Sequence, residues 1–312
     1  FRVMKDLFRL EIDQTSKYVL FHDESDCRKS NFLYHGFLFV RNQNGREILD
    51  KIKEIKNKQN KEKREIHFNE LNQHSKSSNG AKTKIALEWI NFSKEWLEKD
   101  KIKFYCFGVN KNNLNNFWAN SDDYDKNIYL RFFEIGMKAA IRWFGLDKIT
   151  HIFLDKGRHD KDRQKRIRWL SFDFFKLKLF HEIDIGNTNL LSSDENKSKS
   201  EFSNFIQLCD VLLGIVRSGF CKLGDNQKGQ KECVDNFIDI TERFNNQKKA
   251  YNNRSRYWKK FCVQFFPTPN NLTKEEFLNN DIEKIIKGGN FYCDRLTYRQ
   301  QLVAKRNSKL FD

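Results

Sequence analysis

A short apolar run that ends in two adjacent carboxylates constrains this chain more than any other feature. Residues 18–21 read Tyr-Val-Leu-Phe and are followed at 22–25 by His-Asp-Glu-Ser. Such a run is typical of a buried strand. Charged side chains at its end would be held by a rigid scaffold at the rim of a sheet, where open sheets tend to bind ligands. A solvated turn is the alternative, because Asp, Glu and Ser are ordinary loop residues.

The order of apolar segments predicts an α/β fold. The runs 18–25 and 31–40, separated by the polar residues 26–30, are typical of a β-hairpin. Further strands are predicted at 102–109, 149–154 and 183–185, and helices at 48–55, 82–99, 128–144, 163–180 and 201–217. A hairpin followed by crossover units indicates a mixed sheet flanked by helices.

The C-terminal part of the chain has a different character. Residues from about 221 onward contain no strand-like run and carry a surplus of basic side chains. We therefore expect a first domain over residues 1–220 and a basic, mostly helical extension over 221–312 that packs on the core.

Composition and charge limit the classes of partner. Hydrophobic residues make up 38% of the 312 residues, enough for a sizeable core. No apolar stretch approaches the roughly 20 residues of a membrane span, so we expect a cytoplasmic protein without membrane contact. The 58 Lys and Arg exceed the 42 Asp and Glu, which gives a net charge of +16. This surplus favours nucleic acid as a partner, although a nucleotide bias of the genome would also enrich Lys and Asn.

Three carboxylates on separate elements could meet in the folded chain. Asp23 and Asp155 each follow an apolar strand, so parallel neighbouring strands would place them side by side at one sheet edge. Asp210 falls on or beside the buried face of an apolar helix, where a carboxylate needs a cation or donor. Mg²⁺ and Mn²⁺ suit such a cluster and would support phosphodiester cleavage. Alternatively, Asp155 caps the following turn and Asp210 pairs with Arg217.

Four segments, in order, resemble the motifs of the DUF3800 family. They read His-Asp-Glu-Ser at 22–25, Glu-Ile-His-Phe-Asn-Glu-Leu at 65–71, Phe-Leu-Asp-Lys at 153–156 and Phe-Ile-Gln-Leu-Cys-Asp-Val-Leu-Leu-Gly at 205–214. The resemblance covers roughly residues 17 to 220. Members are assigned an RNase H-like fold and are mostly predicted metal-dependent nucleases, often encoded near mobile-element or phage-defence genes. The resemblance implies such a fold here and a Mg²⁺- or Mn²⁺-dependent nuclease acting on DNA or RNA.

Carried over by position, the resemblance also implies the site residues. Asp23, Asp155 and Asp210 would be catalytic metal ligands, with Glu24 or Glu65 as a further catalytic carboxylate. Strand alternation places Glu24 on the face opposite Asp23 unless the chain has already turned.

Asp194 would be an additional metal ligand. It lies in Ser-Asp-Glu-Asn-Lys at 193–197, which resembles the acidic-Ser-Lys element that usually precedes the last helix of the family. The chain departs from the family pattern there, because the spacing is longer and Asn196 intervenes.

Three segments are candidates for nucleic-acid contacts. His67 would position a phosphate or assist proton transfer, unless it is a core-edge imidazole. The basic run 156–168 directly follows Asp155 and could hold a phosphate backbone. Residues 254–260 interleave cations with aromatic rings, as single-strand-binding surfaces do. For both runs a solvated or amphipathic helix is the alternative. The candidate contacts are Arg158, Arg163, Lys165, Arg166, His67, Arg254 and Arg256.

The sequence is also compatible with two other functions. The chain could be a catalytically inactive nucleic-acid-binding subunit of a larger defence complex, with a protein partner. A metal-dependent phosphohydrolase that acts on nucleotides would use the same carboxylates.

Overall fold

The centre of the sheet is the hairpin that the two apolar runs predict. A computed structural model describes residues 17–27, 32–111, 124–146, 148–156, 161–162, 164, 184–194, 200–220, 226–245 and 260–266. Strands β1 (Lys17–Cys27) and β2 (Phe32–Arg41) pair antiparallel, from Tyr18 opposite Arg41 to Cys27 opposite Phe32. The predicted hairpin is confirmed.

Four more strands complete a mixed sheet around this hairpin. They are β3 (Ile102–Asn110), β4 (Lys148–Asp155), β5 (Asp184–Leu191) and β6 (Phe261–Phe266). Strand β3 runs antiparallel to β2, whereas β4 runs parallel to β1. The two edge strands are parallel to their neighbours, and the order is β5-β4-β1-β2-β3-β6. The predicted mixed α/β architecture is confirmed.

Helices cover both faces of the sheet. Their bounds are α1 (Gly45–Lys58), α2 (Ala81–Glu98), α3 (Tyr124–Phe144), α4 (Ser203–Phe220) and α5 (Lys228–Asn245). Side chains alternate along β1, so Val19 and Phe21 join the core beneath α1, α2, α4 and α5, while Tyr18 and Leu20 join the core beneath α3. Within the described ranges, no helix is both long and apolar enough to cross a bilayer.

Helix α4 lies close against the first hairpin because a glycine faces it. A Cβ atom at Gly36 of β2 would lie 3.3 Å from both Cys209 Sγ and Leu213 Cβ, which leaves little room for a larger residue. The thiol of Cys209 lies 3.8 Å from the carbonyl oxygen of Phe21 on β1. This packing holds α4 against the hairpin, and Asp210 is the next residue on the helix.

The predictions for the C-terminal part need a correction. Residues after 221 were expected to contain no strand, and this is wrong, because β6 pairs in parallel with β3 at the edge of the sheet. The run Phe-Cys-Val-Gln-Phe-Phe lacks the alternation of a half-exposed strand. Its partner also lies far away in the sequence, so local pattern did not reveal the pairing. The predicted helix at 163–180 falls almost entirely outside the described residues, and the boundary at 220 stays a prediction.

Replacement of Gly214 by Ala tests the packing of α4. An added Cβ would overlap the ring of Phe68, which is buried against the helix. We expect Gly214→Ala to lower the free energy of unfolding by about 1–3 kcal/mol, the usual cost of overpacking. Alanine elsewhere in a helix is about 0.5–1 kcal/mol more stable than glycine, so the expected sign is reversed. Urea denaturation measures the difference.

Phe68→Ala provides the matched background for this test. With the ring removed, Gly214→Ala should become neutral or stabilising, so the two substitutions should be strongly coupled. An increase in stability on adding Gly214→Ala to the wild-type chain would contradict the described packing.

Candidate functional site

Two of the predicted carboxylates come from neighbouring parallel strands. The pairing of β1 with β4 runs to His22 opposite Leu154, so Asp23 and Asp155 are the next residues on the two strands. Alternation places both on the face that α4 covers. On the same face, two residues earlier in each strand, the rings of Phe21 and Phe153 stack with centroids 5.2 Å apart.

Asp210 reaches this face from α4. Its side chain is almost completely buried, and its Oδ2 atom accepts a 2.8 Å hydrogen bond from the backbone N–H of Phe68. The same oxygen lies 2.7 Å from Nδ1 of His67, so the two side chains form an ion pair. The angles of this contact are not those of a hydrogen bond. The Glu-Ile-His-Phe segment is therefore attached to the helix that carries Asp210.

Gln207, one turn before Asp210, attaches two further segments to α4. Its Oε1 accepts from the backbone N–H of Ile66 at 3.1 Å, and its Nε2 donates to the carbonyl oxygen of Ser193 at 2.7 Å. Sequence reasoning missed this residue. The spacing of three between Gln207 and Asp210, which puts both on one side of the helix, was the signal that could have identified it.

The pKa of the buried Asp23 carboxylate reflects the negative charges around it. Burial raises the pKa of Asp23 well above its usual range, and the negative charges of Asp210, Asp155 and Glu24 raise it further. The backbone N–H of Glu24 donates to Asp23 Oδ1 at 2.8 Å, which acts in the opposite direction. The structure thus brings Asp23, Asp155 and Asp210 within electrostatic range of one another on one face of the sheet.

His67 supplies a positive charge at this cluster. The contact with Asp210 raises the pKa of His67 from its usual 6.5 to about 9, despite the opposing effect of burial. The imidazole is therefore protonated at neutral pH. Its side chain remains 41% exposed, so it lies at the rim of the site.

Asp155 also organises the loop that follows β5. Its Oδ1 accepts a 2.8 Å hydrogen bond from the backbone N–H of Ser193. Asp194, the next residue, is half-buried, and its backbone N–H donates to Ser192 Oγ at 3.3 Å. Asp155 therefore caps this loop, whereas the turn it was alternatively expected to cap includes Gly157, which lies outside the described residues.

Glu24 lies on the other face of the sheet. Its Oε2 atom is 3.8 Å from Nδ1 of His22, which is buried and lies 3.2 Å from His35 through its Nε2. The structure therefore does not place the Glu24 side chain beside the three aspartates. Glu65 is half-buried next to Ile66, and its charge contributes to the raised pKa of His67.

Arg217 does not form the expected alternative pair with Asp210. Its Nη1 atom donates to Ser25 Oγ at 2.7 Å, and its Nη2 atom donates to Asn69 Oδ1 at 2.6 Å. These contacts join α4 to the end of β1 and to the turn after Phe68. Sequence reasoning did not assign Ser25 or Asn69 a role.

The donor chemistry suits a divalent cation, although the arrangement does not enclose one. Carboxylate oxygens are the ligands that Mg²⁺ and Mn²⁺ prefer. Among the described residues, no group of three or more His, Cys, Asp and Glu side chains is arranged to hold a metal ion.

The predicted nucleic-acid contacts Arg158, Arg163, Lys165, Arg166, Arg254 and Arg256 lie outside the described residues. In comparisons with known proteins, no protein-family model and no curated protein matches the chain.

The ion pair of His67 and Asp210 predicts a pH-dependent contribution to stability. Because the pKa of His67 is higher in the folded chain, the contribution is complete below pH 6.5 and is lost as the pH rises through about 9. We expect His67→Gln to destabilise the protein by about 1 kcal/mol at pH 6, a value kept small by solvent screening. Urea denaturation in EDTA at pH 6, 8 and 10 measures this difference.

His74→Gln is the matched control, since Nδ1 of His74 lies 3.1 Å from Glu232 Oε2 on a more exposed surface away from the site. The difference between wild type and His67→Gln should disappear at pH 10. A difference that stays constant from pH 6 to pH 10 would contradict the ion pair.

Proposed function

We propose that this chain is a divalent-metal-dependent nuclease of the DUF3800 type, with an RNase H-like fold, that hydrolyses phosphodiester bonds of DNA or RNA. The observation that carries the proposal is the buried carboxylate of Asp23, which has a raised pKa beside Asp155 and Asp210. Like charges drawn together in a protein interior are costly unless a cation compensates them. A divalent cation bound among these carboxylates would relieve this repulsion, which supports the proposal of a metal site.

The arrangement of the strands supports the choice of fold. Strands β1, β2 and β3 are antiparallel neighbours, and β4 and β5 run parallel to β1. This mixed sheet is compatible with an RNase H-like architecture. It fixes two carboxylates on rigid strands and leaves the third on a helix packed across them.

Each carboxylate has a distinct part in the proposed site. Asp23 and Asp155 would hold the metal from the sheet, and Asp210 would complete the site from α4, with Glu65 and Asp194 as nearby acidic side chains. Bound divalent ions would activate a water molecule and stabilise the leaving oxygen of the phosphodiester. The protonated His67 lies on Asp210 in the described structure, and its exposed edge would face the phosphate of an entering substrate.

The charge of the chain supports a nucleic-acid substrate. The net charge of +16 would attract a polyanion over long distances, and it would offset the repulsion between phosphates and the acidic site.

One observation favours the alternative of an inactive nucleic-acid-binding subunit in a larger complex. Asp210, one of the three proposed metal ligands, already contacts the protonated imidazole of His67, which a bound metal ion would have to displace. A chain that kept this arrangement would bind nucleic acid without cleaving it, and cleavage assays separate the two functions.

Asp23→Asn tests the proposed reaction. The substitution keeps the size of the side chain and removes its charge, so we expect Mn²⁺-dependent cleavage of labelled DNA or RNA to fall by at least about 100-fold, as for the loss of an essential catalytic group. Asp26→Asn is the matched control, because Asp26 is an exposed carboxylate on the same strand that pairs with Lys111. Full activity of Asp23→Asn, or no cleavage by wild type with either metal, would rule out the proposed role.

Thermal and chemical stability give a second test that does not depend on activity. Without divalent ions, Asp23→Asn should stabilise the protein at pH 7, because burial and the neighbouring carboxylates raise the pKa of Asp23 and its ionised form is therefore costly in the folded chain. The gain should shrink as the pH falls through the pKa of Asp23, since aspartic acid and asparagine are then both neutral. Mn²⁺ should raise the melting temperature of wild type and Asp26→Asn but not of Asp23→Asn. A larger Mn²⁺ response in Asp23→Asn than in wild type would argue against a cation at this position.

A further inference from the structure

Arg217 is a cation beside the acidic site whose hydrogen-bond partners are neutral. Its guanidinium donates to the hydroxyl of Ser25 and to the side-chain oxygen of Asn69. In the part of the chain that the structure describes, no carboxylate lies within ion-pairing distance of it. Two of its five N–H donors are used in this way, so its charge and its remaining donors stay available to an anion.

Arg217 lies on the same side of α4 as Asp210, and its partner Ser25 lies on the same face of β1 as Asp23. Arg217 lies seven residues after Asp210 on α4, which is two helical turns and roughly 10 Å along the same side of the helix. Ser25 lies two residues after Asp23 on the same face of β1, about 7 Å further along the strand. The guanidinium group therefore lies beyond the carboxylates, toward the C-terminal ends of α4 and β1.

Neighbouring residues hold this guanidinium in a fixed orientation. Its central carbon lies 5.9 Å from the centroid of the Phe68 ring, a cation–π contact with a buried side chain. The backbone of Asn69 is itself held, because its carbonyl oxygen accepts a 3.2 Å hydrogen bond from Nε2 of the buried Gln230 on α5. An arginine fixed in this way loses little further conformational entropy when it binds a ligand.

We propose that Arg217, together with Ser25 and Asn69, binds the backbone phosphate next to the scissile phosphodiester. The inference rests on the proposed nuclease function and identifies a second contact of the same substrate. A planar guanidinium matches the oxygens of a phosphate, and the Ser and Asn side chains add donors from either side. The contact would draw the strand toward carboxylates that otherwise repel it, and its offset from Asp23 suits a neighbouring phosphate rather than the reacting one.

The first experiment measures binding in the absence of turnover. Fluorescence anisotropy of a labelled single-stranded oligonucleotide, DNA or RNA, is recorded in EDTA over a series of salt concentrations. Arg217→Gln should weaken binding about tenfold, as expected for a lost charged hydrogen bond, and should reduce the salt slope by about one. Arg46→Gln removes the same charge from α1, where Arg46 pairs with Asp50 and with Glu201 just before the start of α4, and this variant should bind like wild type.

The second experiment identifies the phosphate. One neutral methylphosphonate linkage is moved through the oligonucleotide, one position at a time. Wild type should lose about tenfold in affinity at the linkage adjacent to the cleaved one, and Arg217→Gln should be insensitive at that linkage. A purely structural role for Arg217 would instead weaken binding to every probe equally.

The outcomes separate this inference from the proposed function. Cleavage by wild type together with equal affinities of wild type and Arg217→Gln would overturn the phosphate site and leave the nuclease standing. Absence of cleavage with the position-specific binding loss would overturn the nuclease and leave the contact. No measurable binding by wild type at low salt would overturn the phosphate site. If Arg217→Gln does not fold, as judged by its melting curve, Arg217→Lys is used, and it should show an intermediate loss at the same linkage.

Discussion

The close approach of α4 to the first hairpin is the constraint on which the candidate site depends. Gly36 leaves room for Cys209 and Leu213 on the sheet, and Gly214 leaves room for the Phe68 ring on the helix. With the helix at this distance, Asp210 extends toward the face that carries Asp23 and Asp155. A larger side chain at Gly36 would press on Cys209 and Leu213, and one at Gly214 would overlap the Phe68 ring, so either change would disturb the packing that positions Asp210.

The charges around this contact are only partly compensated. The pKa of Asp23 is raised by burial and by its acidic neighbours, while the pKa of His67 is raised by its contact with Asp210. The His67 imidazolium stabilises the Asp210 carboxylate at the rim of the site. Arg217, two helical turns after Asp210 on α4, donates hydrogen bonds to the neutral side chains of Ser25 and Asn69. This distribution of charge is the basis for the proposed metal ion among the carboxylates and for the proposed phosphate contact at Arg217.

Local sequence pattern predicted the parts of this arrangement that depend on neighbouring residues. Alternation along β1 predicted that Glu24 faces away from Asp23, and the position of the Glu24 carboxylate beside the buried His22 agrees with it. The contact of His67 with Asp210 and the attachment of Ile66 by Gln207 join distant parts of the chain, so no periodicity reveals them. The same limit hid β6. The catalytic roles of the carboxylates stay predictions, since they depend on a cation and a substrate.

The most direct measurement is the anomalous scattering of a crystal soaked in Mn²⁺. We expect an anomalous peak bordered by Asp23, Asp155 and Asp210, with the His67 imidazole displaced from the Asp210 oxygen that it contacts in the described structure. If Mn²⁺ is fully occupied at other positions in the crystal but gives no peak here, and His67 still contacts Asp210, this acidic cluster is not a metal site.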